Sequence, residues 1–325
     1  MIKFKNKAVA FALSAAALAI LPGVASASDL TSFKTVFNTD FASAGYGGMR
    51  GVGTGTIALS GVSGTVSEAY LFWQGPTNAA ATDTGANASV TFNGNAIAGT
   101  FLGISSDNCW GFQNSMAYRA DVSSLVTGNG NYTLANFLKS NADINGASLV
   151  VFFNDGNSTN NRDVVMFDGN DSNISNPYDA PGWNITLAGI NYSSGIANAQ
   201  FHVGDGQTFP DAALIANGTT LAPAGAVFDG NSVPGGAGGP SNGFLWDIRD
   251  FNVTSLLSPG LNTLNITSGL NSDCLSCVMI AIDLPAGAAP EQPGQVPEPA
   301  SLALVGLALA GLGATRRRKQ KQASA

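Results

Sequence analysis

Short apolar or alternating segments, each closed by a turn signal, constrain this chain more than any other feature. Between residues 28 and 284 these segments are four to eight residues long, and turn signals recur about every ten residues. The segments contain β-branched and aromatic residues, whereas Gly, Asn and Asp separate them, a composition typical of short strands joined by many turns. Few stretches show the 3.6-residue period of a helix. We therefore predict an all-β fold, as a β-sandwich or jelly roll.

The clearest strand segments can be placed along the chain. The pattern predicts strands at 69–73, 149–153, 164–167, 183–187, 199–203, 244–248 and 278–284. Asn93-Gly94 predicts a hairpin turn, because both residues tolerate positive φ. The glycine-rich run 51–55 lacks the spacing of a nucleotide-binding loop and predicts the entry to a strand instead.

A weak internal repeat divides the middle of the chain. The stretch from Tyr118 to Phe153 contains a strand, a short turn with Ser or Thr before leucine, a Gly-Asn turn and a closing strand, and the stretch from Ile248 to Leu284 has the same order. We predict a first β-sandwich lobe at residues 28–155 and a second at 156–284. One continuous sandwich is the alternative. Residues 285–295, rich in Ala, Gly and Pro, predict a spacer.

The distribution of charge limits the class of partner. The chain has a formal net charge of −7, and eight of its 14 basic residues lie at its two ends. The middle is therefore strongly acidic, which makes nucleic acid a poor partner. Such a surface could attract cations, or the charge could only keep an exported protein soluble.

The N-terminus has the three parts of a secretory signal peptide. Lys3, Lys5 and Lys7 precede an apolar run at 8–21, and Ala25-Ser26-Ala27 follows. Signal peptidase accepts small side chains such as those of Ala25 and Ala27, so we expect cleavage after Ala27 and a signal peptide at residues 1–27.

The C-terminus, residues 296–325, contains three ordered features. Pro297-Glu298-Pro299 is followed by an uncharged stretch at 300–315, and then by Arg316, Arg317 and Arg318. As a helix the stretch would be about 24 Å long, which predicts a transmembrane helix at 300–315. The basic cluster should stay on the cytoplasmic side, leaving the bulk of the chain outside.

This arrangement resembles the PEP-CTERM sorting signal of Gram-negative bacteria. The resemblance covers the C-terminal tail only and implies processing by an exosortase, in hosts that typically make exopolysaccharide and biofilm matrix. It implies that Pro297, Glu298 and Pro299 are recognised, not catalytic. It also implies transient anchoring in the inner membrane, followed by delivery to the cell surface or the extracellular matrix.

The three cysteines predict a structural disulfide. Cys274 and Cys277 form a Cys-x-x-Cys, and Cys109 lies far away in the sequence. Export permits a disulfide, and an odd count leaves one thiol over. The pairing is either Cys274 with Cys277, or one of them with Cys109. A redox motif or a zinc site is poorly supported, because neither the surrounding pattern nor a fourth ligand is present.

Motifs for catalysis are missing from the sequence. The single histidine, His202, alternates with Phe201 and Val203, so it should lie on the opposite face of its strand. No Gly-x-Ser-x-Gly elbow nominates a nucleophile, and no pair of carboxylates is singled out as a glycosidase would need. We therefore predict a non-enzymatic protein, with a secreted hydrolase acting on matrix polysaccharide as the alternative.

Two further features suggest ligands. Asp168 and Asp171 lie in a cluster of oxygen-bearing side chains, 168–173, that could bind calcium on a loop. The cluster does not have the EF-hand spacing, and ordinary Asx turns are the favoured interpretation; no other cofactor is predicted. Of the four tryptophans, Trp73, Trp183 and Trp246 lie in apolar strand patterns and should be core, whereas Trp110 lies in a polar loop and is a candidate sugar contact. The sequence thus predicts an exported protein that binds exopolysaccharide or another matrix component, or assembles with itself.

Overall fold

The computed structural model describes residues 29–287, which form 17 strands and two short 3₁₀ helices. All paired strands run antiparallel, so the all-β prediction is confirmed. The predicted signal peptide at 1–27, the spacer beyond residue 287 and the predicted helix at 300–315 lie outside the described residues.

The strands fall into two series along the chain. The first series is β1 Thr31–Tyr46, β2 Gly55–Leu59, β3 Thr65–Thr77, β4 Ser89–Phe92, β5 Asn95–Ala98, β6 Thr100–Ser105, β7 Asn114–Asp121, the 3₁₀ helix Ser123–Leu125, β8 Gly130–Ala135 and β9 Gly146–Asn154. The second is β10 Arg162–Ser172, β11 Trp183–Tyr192, β12 Asn198–Gly204, β13 Leu214–Ala216, β14 Thr219–Ala222, β15 Trp246–Asn252, the 3₁₀ helix Thr254–Leu256, β16 Gly260–Ser268 and β17 Ser276–Pro285.

Nine strands form one large sheet, in the order β15-β12-β17-β10-β1-β9-β3-β7-β6, and two outer sheets have the orders β2-β8-β4-β5 and β11-β16-β13-β14. Strand β1 joins the two halves of the large sheet. Its residues 31–39 pair with β10, and its residues 40–46 pair with β9. The register shifts between Val36 and Thr39, where Asn38 has φ +51°, as in a β-bulge that redirects a strand.

The alternation of side chains along each inner strand defines three layers of core. Leu71 and Trp73 of β3 pack toward the outer sheet β2-β8-β4-β5, whereas Phe72 packs on the other face. In the second half, Val165 packs toward the outer sheet β11-β16-β13-β14, and Met166 packs with Phe72 in the shared inner cluster. Each half of the large sheet therefore has one apolar face against its own outer sheet and the other face against the opposite half.

The two series have the same strand pairing, and we call residues 31–154 the first repeat and residues 162–285 the second repeat. In the first repeat, β1 pairs with β9, β9 with β3, and β3 with β7. In the second repeat, the equivalent pairs are β10 with β17, β17 with β12, and β12 with β15. The outer sheets also correspond, strand by strand. Asn93-Gly94 and Asn217-Gly218 make the equivalent hairpin turns, with φ of +47°, +78°, +48° and +78°. Strand β6 is the addition in the first repeat.

Most of the strand predictions are confirmed, and two expectations were wrong. The predicted strand 244–248 begins only at Trp246, because Leu245 has φ +63° and its neighbour Phe244 donates its N–H to Gly230. The cluster expected to be a loop at 168–173 is strand up to Ser172, paired with β17 across a bulge. The lobe boundary between residues 155 and 156 stays a prediction, and β1 supplies residues 31–39 to the sheet of the second repeat.

Candidate functional site

A pocket of about 240 Å³ lies where the two repeats meet. Three segments line it: the loop between β6 and β7, the segment after β12, and the turn before β17. The lining residues are Asn108, Cys109, Trp110, Gln207, Phe209, Ser272, Asp273 and Cys274. Two of these, Trp110 and Phe209, offer aromatic surface, and the Phe209 side chain is 47% exposed.

The β6–β7 loop is held against the second repeat by a disulfide and by one buried amide. Of the pairings that the sequence left open, the structure has Cys109 bonded to Cys274, while Cys277 is a buried free thiol. Asn108 donates to the Cys274 carbonyl at 3.2 Å and to Ser276 Oγ at 3.0 Å. Asn108 and Cys109 both have positive φ, +57° and +66°, a conformation maintained because these contacts fix the loop.

Trp110 is fixed by contacts at its edge and on one face. Its indole N–H donates to both carboxylate oxygens of Asp205, at 2.8 and 2.9 Å. The Arg50 guanidinium carbon lies 3.7 Å from the centroid of the indole, and Arg50 forms an ion pair of 3.0 Å with Asp205. Arg50 also donates to the Asn145 side chain. The ring of Trp110 is therefore positioned before any ligand arrives.

Asp205 is the buried centre of this network. It is fully buried and has φ +71° at the end of β12. Burial raises the pKa of the Asp205 carboxyl well above its usual range, and the Arg50 charge and the Trp110 hydrogen bond oppose that rise. Arg50 is buried too, and desolvation lowers its pKa while the Asp205 charge raises it. The pair costs desolvation energy but fixes the geometry between the repeats.

Asp273 lines the pocket and organises the turn before β17. Its carboxylate accepts the Gln207 N–H at 2.8 Å and the Cys274 N–H at 3.0 Å. Burial raises its pKa to about 7, and these hydrogen bonds lower it. Asp211 and Asp247 interact with Asp273 through their charges. They also accept backbone N–H groups: Asp211 from Phe228 at 2.7 Å, and Asp247 from Gly230 at 2.7 Å. These carboxylates thus fix backbone segments of the second repeat around the pocket.

The two calcium candidates are not on an open loop. Asp168 is paired with Arg119 of the first repeat, and burial raises the pKa of Asp168 to about 6 against the effect of Arg119. Burial, Asp179 and Asp29 raise the pKa of Asp171 to about 8. Within residues 29–287, no three His, Cys, Asp or Glu side chains are grouped so that they could hold a metal ion.

His202 has the orientation that the sequence predicted, opposite to Phe201 and Val203. It is fully buried between the repeats, with Nδ1 2.7 Å from Ser148 Oγ and Nε2 3.0 Å from Gln200 Oε1. Burial lowers its pKa to about 3. Ser148 is also completely buried, so this Ser–His contact joins the repeats rather than facing a substrate.

Sequence reasoning found part of the pocket. Trp110, Cys109 and Cys274 lie in it, and Trp73, Trp183 and Trp246 are core residues as predicted. Arg50, Asp205, Gln207, Phe209 and Asp273 were missed. The only local signal was Asp205-Gly206 directly after an apolar strand, a turn pattern that does not indicate which distant side chains meet there.

The fold and the tail define a class: an all-β protein of two repeats followed by a C-terminal sorting signal. The PEP-CTERM protein-sorting motif matches residues 295–319, which confirms the resemblance. The family described as protein of unknown function (DUF3344) matches residues 60–282, more than half of the chain and parts of both repeats. The chain belongs to this family. No curated protein matches the chain.

The sorting motif identifies the chain as an exported protein that is processed by an exosortase. Pro297, Glu298 and Pro299, with Arg316, Arg317 and Arg318, all lie within the matched residues, outside the described part of the structure. Among residues 29–287, the structure contains no helix with the length and apolarity needed to cross a membrane.

Proposed function

We propose that this chain is a non-enzymatic protein of the cell surface or extracellular matrix, whose two-lobed β-sandwich ectodomain binds exopolysaccharide through the pocket beside Trp110. The observation that carries the proposal is the fixed indole of Trp110, which lines an open pocket together with the exposed Phe209. Sugar rings present apolar C–H faces and a rim of hydroxyl groups, so aromatic surface beside polar side chains suits them.

Preorganisation favours this use of Trp110. A ligand that stacks on a mobile side chain must first order it, at a cost of about 0.5–1.5 kcal/mol for each side chain. Arg50 and Asp205 already hold the indole. Polar groups for hydroxyl recognition are present at Gln207 and Ser272, which line the same pocket.

The pocket and the last strand residue, Pro285, lie at opposite ends of β17. Cys274 of the pocket precedes β17 by two residues, and the chain leaves β17 at Pro285, the tenth residue of the strand. A strand of ten residues is about 33 Å long. We propose that the pocket faces the matrix while the tail anchors the chain, because it lies at the end of β17 remote from Pro285.

The proposed route has several steps. Signal peptidase cleaves after Ala27, the helix at 300–315 holds the chain in the inner membrane, and exosortase recognises Pro297-Glu298-Pro299. The protein then reaches the cell surface or the biofilm matrix. The disulfide between Cys109 and Cys274 supports an oxidising destination, because such bonds persist outside the cytosol.

Co-sedimentation tests the binding proposal. We expect the full-length chain to co-sediment saturably with exopolysaccharide from the producing strain, and Trp110→Ala or Phe209→Ser to weaken binding at least tenfold. Asp155→Asn, in the exposed loop between β9 and β10, is the matched control and should bind like the unaltered chain. Parallel samples with calcium and with chelator test the calcium hypothesis at Asp168 and Asp171. Unaltered binding by both aromatic variants would contradict the proposal.

A polysaccharide hydrolase is the second candidate, because Asp205 and Asp273 both have raised pKa values beside the same pocket. A general acid with such a pKa is what a glycosidase uses. Both oxygens of Asp205 are engaged by Trp110, however, which favours a binding role. Release of new reducing ends from the polysaccharide, lost in Asp273→Asn, would support the hydrolase instead.

A further inference from the structure

The charges around the pocket decide which sugars it can accept. Residues 29–287 contain 18 aspartates and one glutamate against two lysines and four arginines. Five of these six cations are already in ion pairs: Lys34, Arg50, Arg119, Arg162 and Arg249. A polymer of uronic acids would meet repulsion with little positive charge to offset it.

Asp273 is one of the residues that line the pocket. It is 1% exposed, and both of its oxygens accept backbone N–H groups, so its position is fixed. Arg50, the cation of the network around Trp110, forms its ion pair with Asp205 and lies over the Trp110 ring. A ligand that brings its own positive charge would therefore complement Asp273.

Resting on the binding function proposed above, we infer that the pocket takes an amino sugar, a hexose unit of the matrix polysaccharide whose free amine is protonated. The sugar ring stacks beside Trp110 and Phe209, and its ammonium group is directed toward Asp273. A hydrogen bond between two charged groups is about twice as strong as one between neutral groups. The carboxylate thus supplies the selectivity, and the aromatic surface supplies the part of the affinity that all hexoses share.

The Asp273 carboxyl and the amine of the sugar must both be charged, and this requirement restricts the pH range of binding. Burial raises the Asp273 pKa to about 7, and Asp247 contributes to that rise. An amine with electron-withdrawing neighbours titrates at about 8, like an α-amino group. The groups around Asp273 are Asp205, Asp211 and Asp247, with Arg50 behind Asp205. Binding of the amino sugar should be strongest between about pH 7 and 8, and weaken below 7 as Asp273 takes up a proton.

The test compares three ligands on the full-length chain in mild detergent, by tryptophan fluorescence or calorimetry. The ligands are β-1,4-linked tetramers of glucosamine, of glucose and of N-acetylglucosamine. We expect the glucosamine tetramer to bind at least about tenfold more tightly than the other two at pH 7.5. Trp110→Ala should weaken all binding, and Asp273→Asn should remove only the preference, with Asp155→Asn as the matched control.

The outcomes have different consequences for the polysaccharide function and for the amino-sugar inference. Equal binding of the glucosamine and glucose tetramers would overturn the amino-sugar inference but leave the polysaccharide function intact. Binding of exopolysaccharide without binding of any tetramer would also overturn it. If neither tetramers nor exopolysaccharide bind, both proposals fail. Should Asp273→Asn not fold, the comparison of ligands on the unaltered chain still decides.

Discussion

The two repeats have the same strand order, but they differ in one loop, which leads into β7 in the first repeat and into β15 in the second. In the first repeat this loop is residues 106–113, and it reaches the second repeat through the disulfide to Cys274. In the second repeat it is residues 223–245, and it reaches the first repeat through backbone hydrogen bonds. Gly47 donates to Pro234 at 2.9 Å, and Gly238 donates to Gly48 at 2.9 Å.

The two loops are held in place by different chemistry. Backbone pairing at Gly48 requires close approach, because a Cβ there would meet the Gly236 carbonyl oxygen at 2.7 Å. The short loop is instead fixed at Asn108 and Cys109, so Trp110 can line an open pocket. The shared strands thus form a scaffold, and the short loop in which the repeats differ carries the candidate site.

The first prediction concerns the covalent link of the short loop. Cys109→Ser should lower the free energy of unfolding by about 4 to 5 kcal/mol, because the disulfide closes a loop of 165 residues. Urea denaturation monitored by circular dichroism measures the change. Cys277→Ala, which removes a buried thiol without a bond, is the control and should cost about 1 kcal/mol. Equal effects of the two variants would contradict a structural role for the link.

The second prediction concerns the buried ion pair of the pocket. Arg50→Met should destabilise the chain by about 3 kcal/mol, because it leaves Asp205 buried without a cation. Arg249→Met removes the partly exposed pair with Asp229 in the second repeat and should cost less than about 1 kcal/mol. Thermal or urea unfolding of both variants gives the comparison. A larger loss of stability in Arg249→Met than in Arg50→Met would contradict a structural role for the Arg50–Asp205 pair between the repeats.

The third prediction concerns pH and the acidic second repeat. Burial raises the pKa of Asp211 and of Asp273 to about 7, whereas an unfolded aspartate titrates at about 3.9. The folded state therefore binds more protons between these values, so stability is greatest below about pH 4 for these groups and is lost as the pH rises through 7.

Between about pH 4 and 7, each additional proton bound by the folded state changes the free energy of unfolding by about 1.4 kcal/mol per pH unit. The melting temperature should accordingly rise when the pH is lowered from 8.5 to 5.5. Asp211→Asn and Asp273→Asn should flatten this slope, and Asp155→Asn, in the loop between the repeats, should leave it unchanged. A slope of opposite sign in the unaltered chain would refute the account of these carboxylates.

The smallest expected effect tests the equivalence of the repeats. Gly94→Ala and Gly218→Ala each place a Cβ at φ +78° in open space, so each should cost about 1 kcal/mol from backbone conformation alone. Paired denaturation curves should agree within about 0.5 kcal/mol. A difference of more than about 1 kcal/mol would mean that one hairpin has a role that the other lacks.

Features that depend on neighbouring residues could be predicted from the sequence, whereas features that depend on contacts between distant residues could not. The Asn93-Gly94 turn, the face of His202 and the core tryptophans follow from local pattern, and all are as predicted. The segment Asp168–Ser172 looked like a loop because its side chains are polar. It is a strand because the other repeat satisfies those groups: Arg119 pairs with Asp168, and Asn170 donates to the Ser115 carbonyl at 3.1 Å.

The pocket shows the same limit. Trp110 was recognisable as an aromatic residue isolated in a polar loop. Its partners Arg50 and Asp205 lie 60 and 95 positions away in the chain, and only the crossing of the two repeats brings them together. Asp273 was one aspartate among many, and its burial depends on loops of the second repeat.

We propose that the ligand binds where the short loop of the first repeat meets the second repeat. Hydrogen–deuterium exchange of the full-length chain, with and without fragments of its exopolysaccharide, shows which segments the ligand covers. We predict protection of amides at 109–113, 207–209 and 272–275, with the loop 223–245 and the outer sheets unchanged. Protection confined to the outer sheets or to the loop 223–245, with the 109–113 amides unaffected, would contradict it.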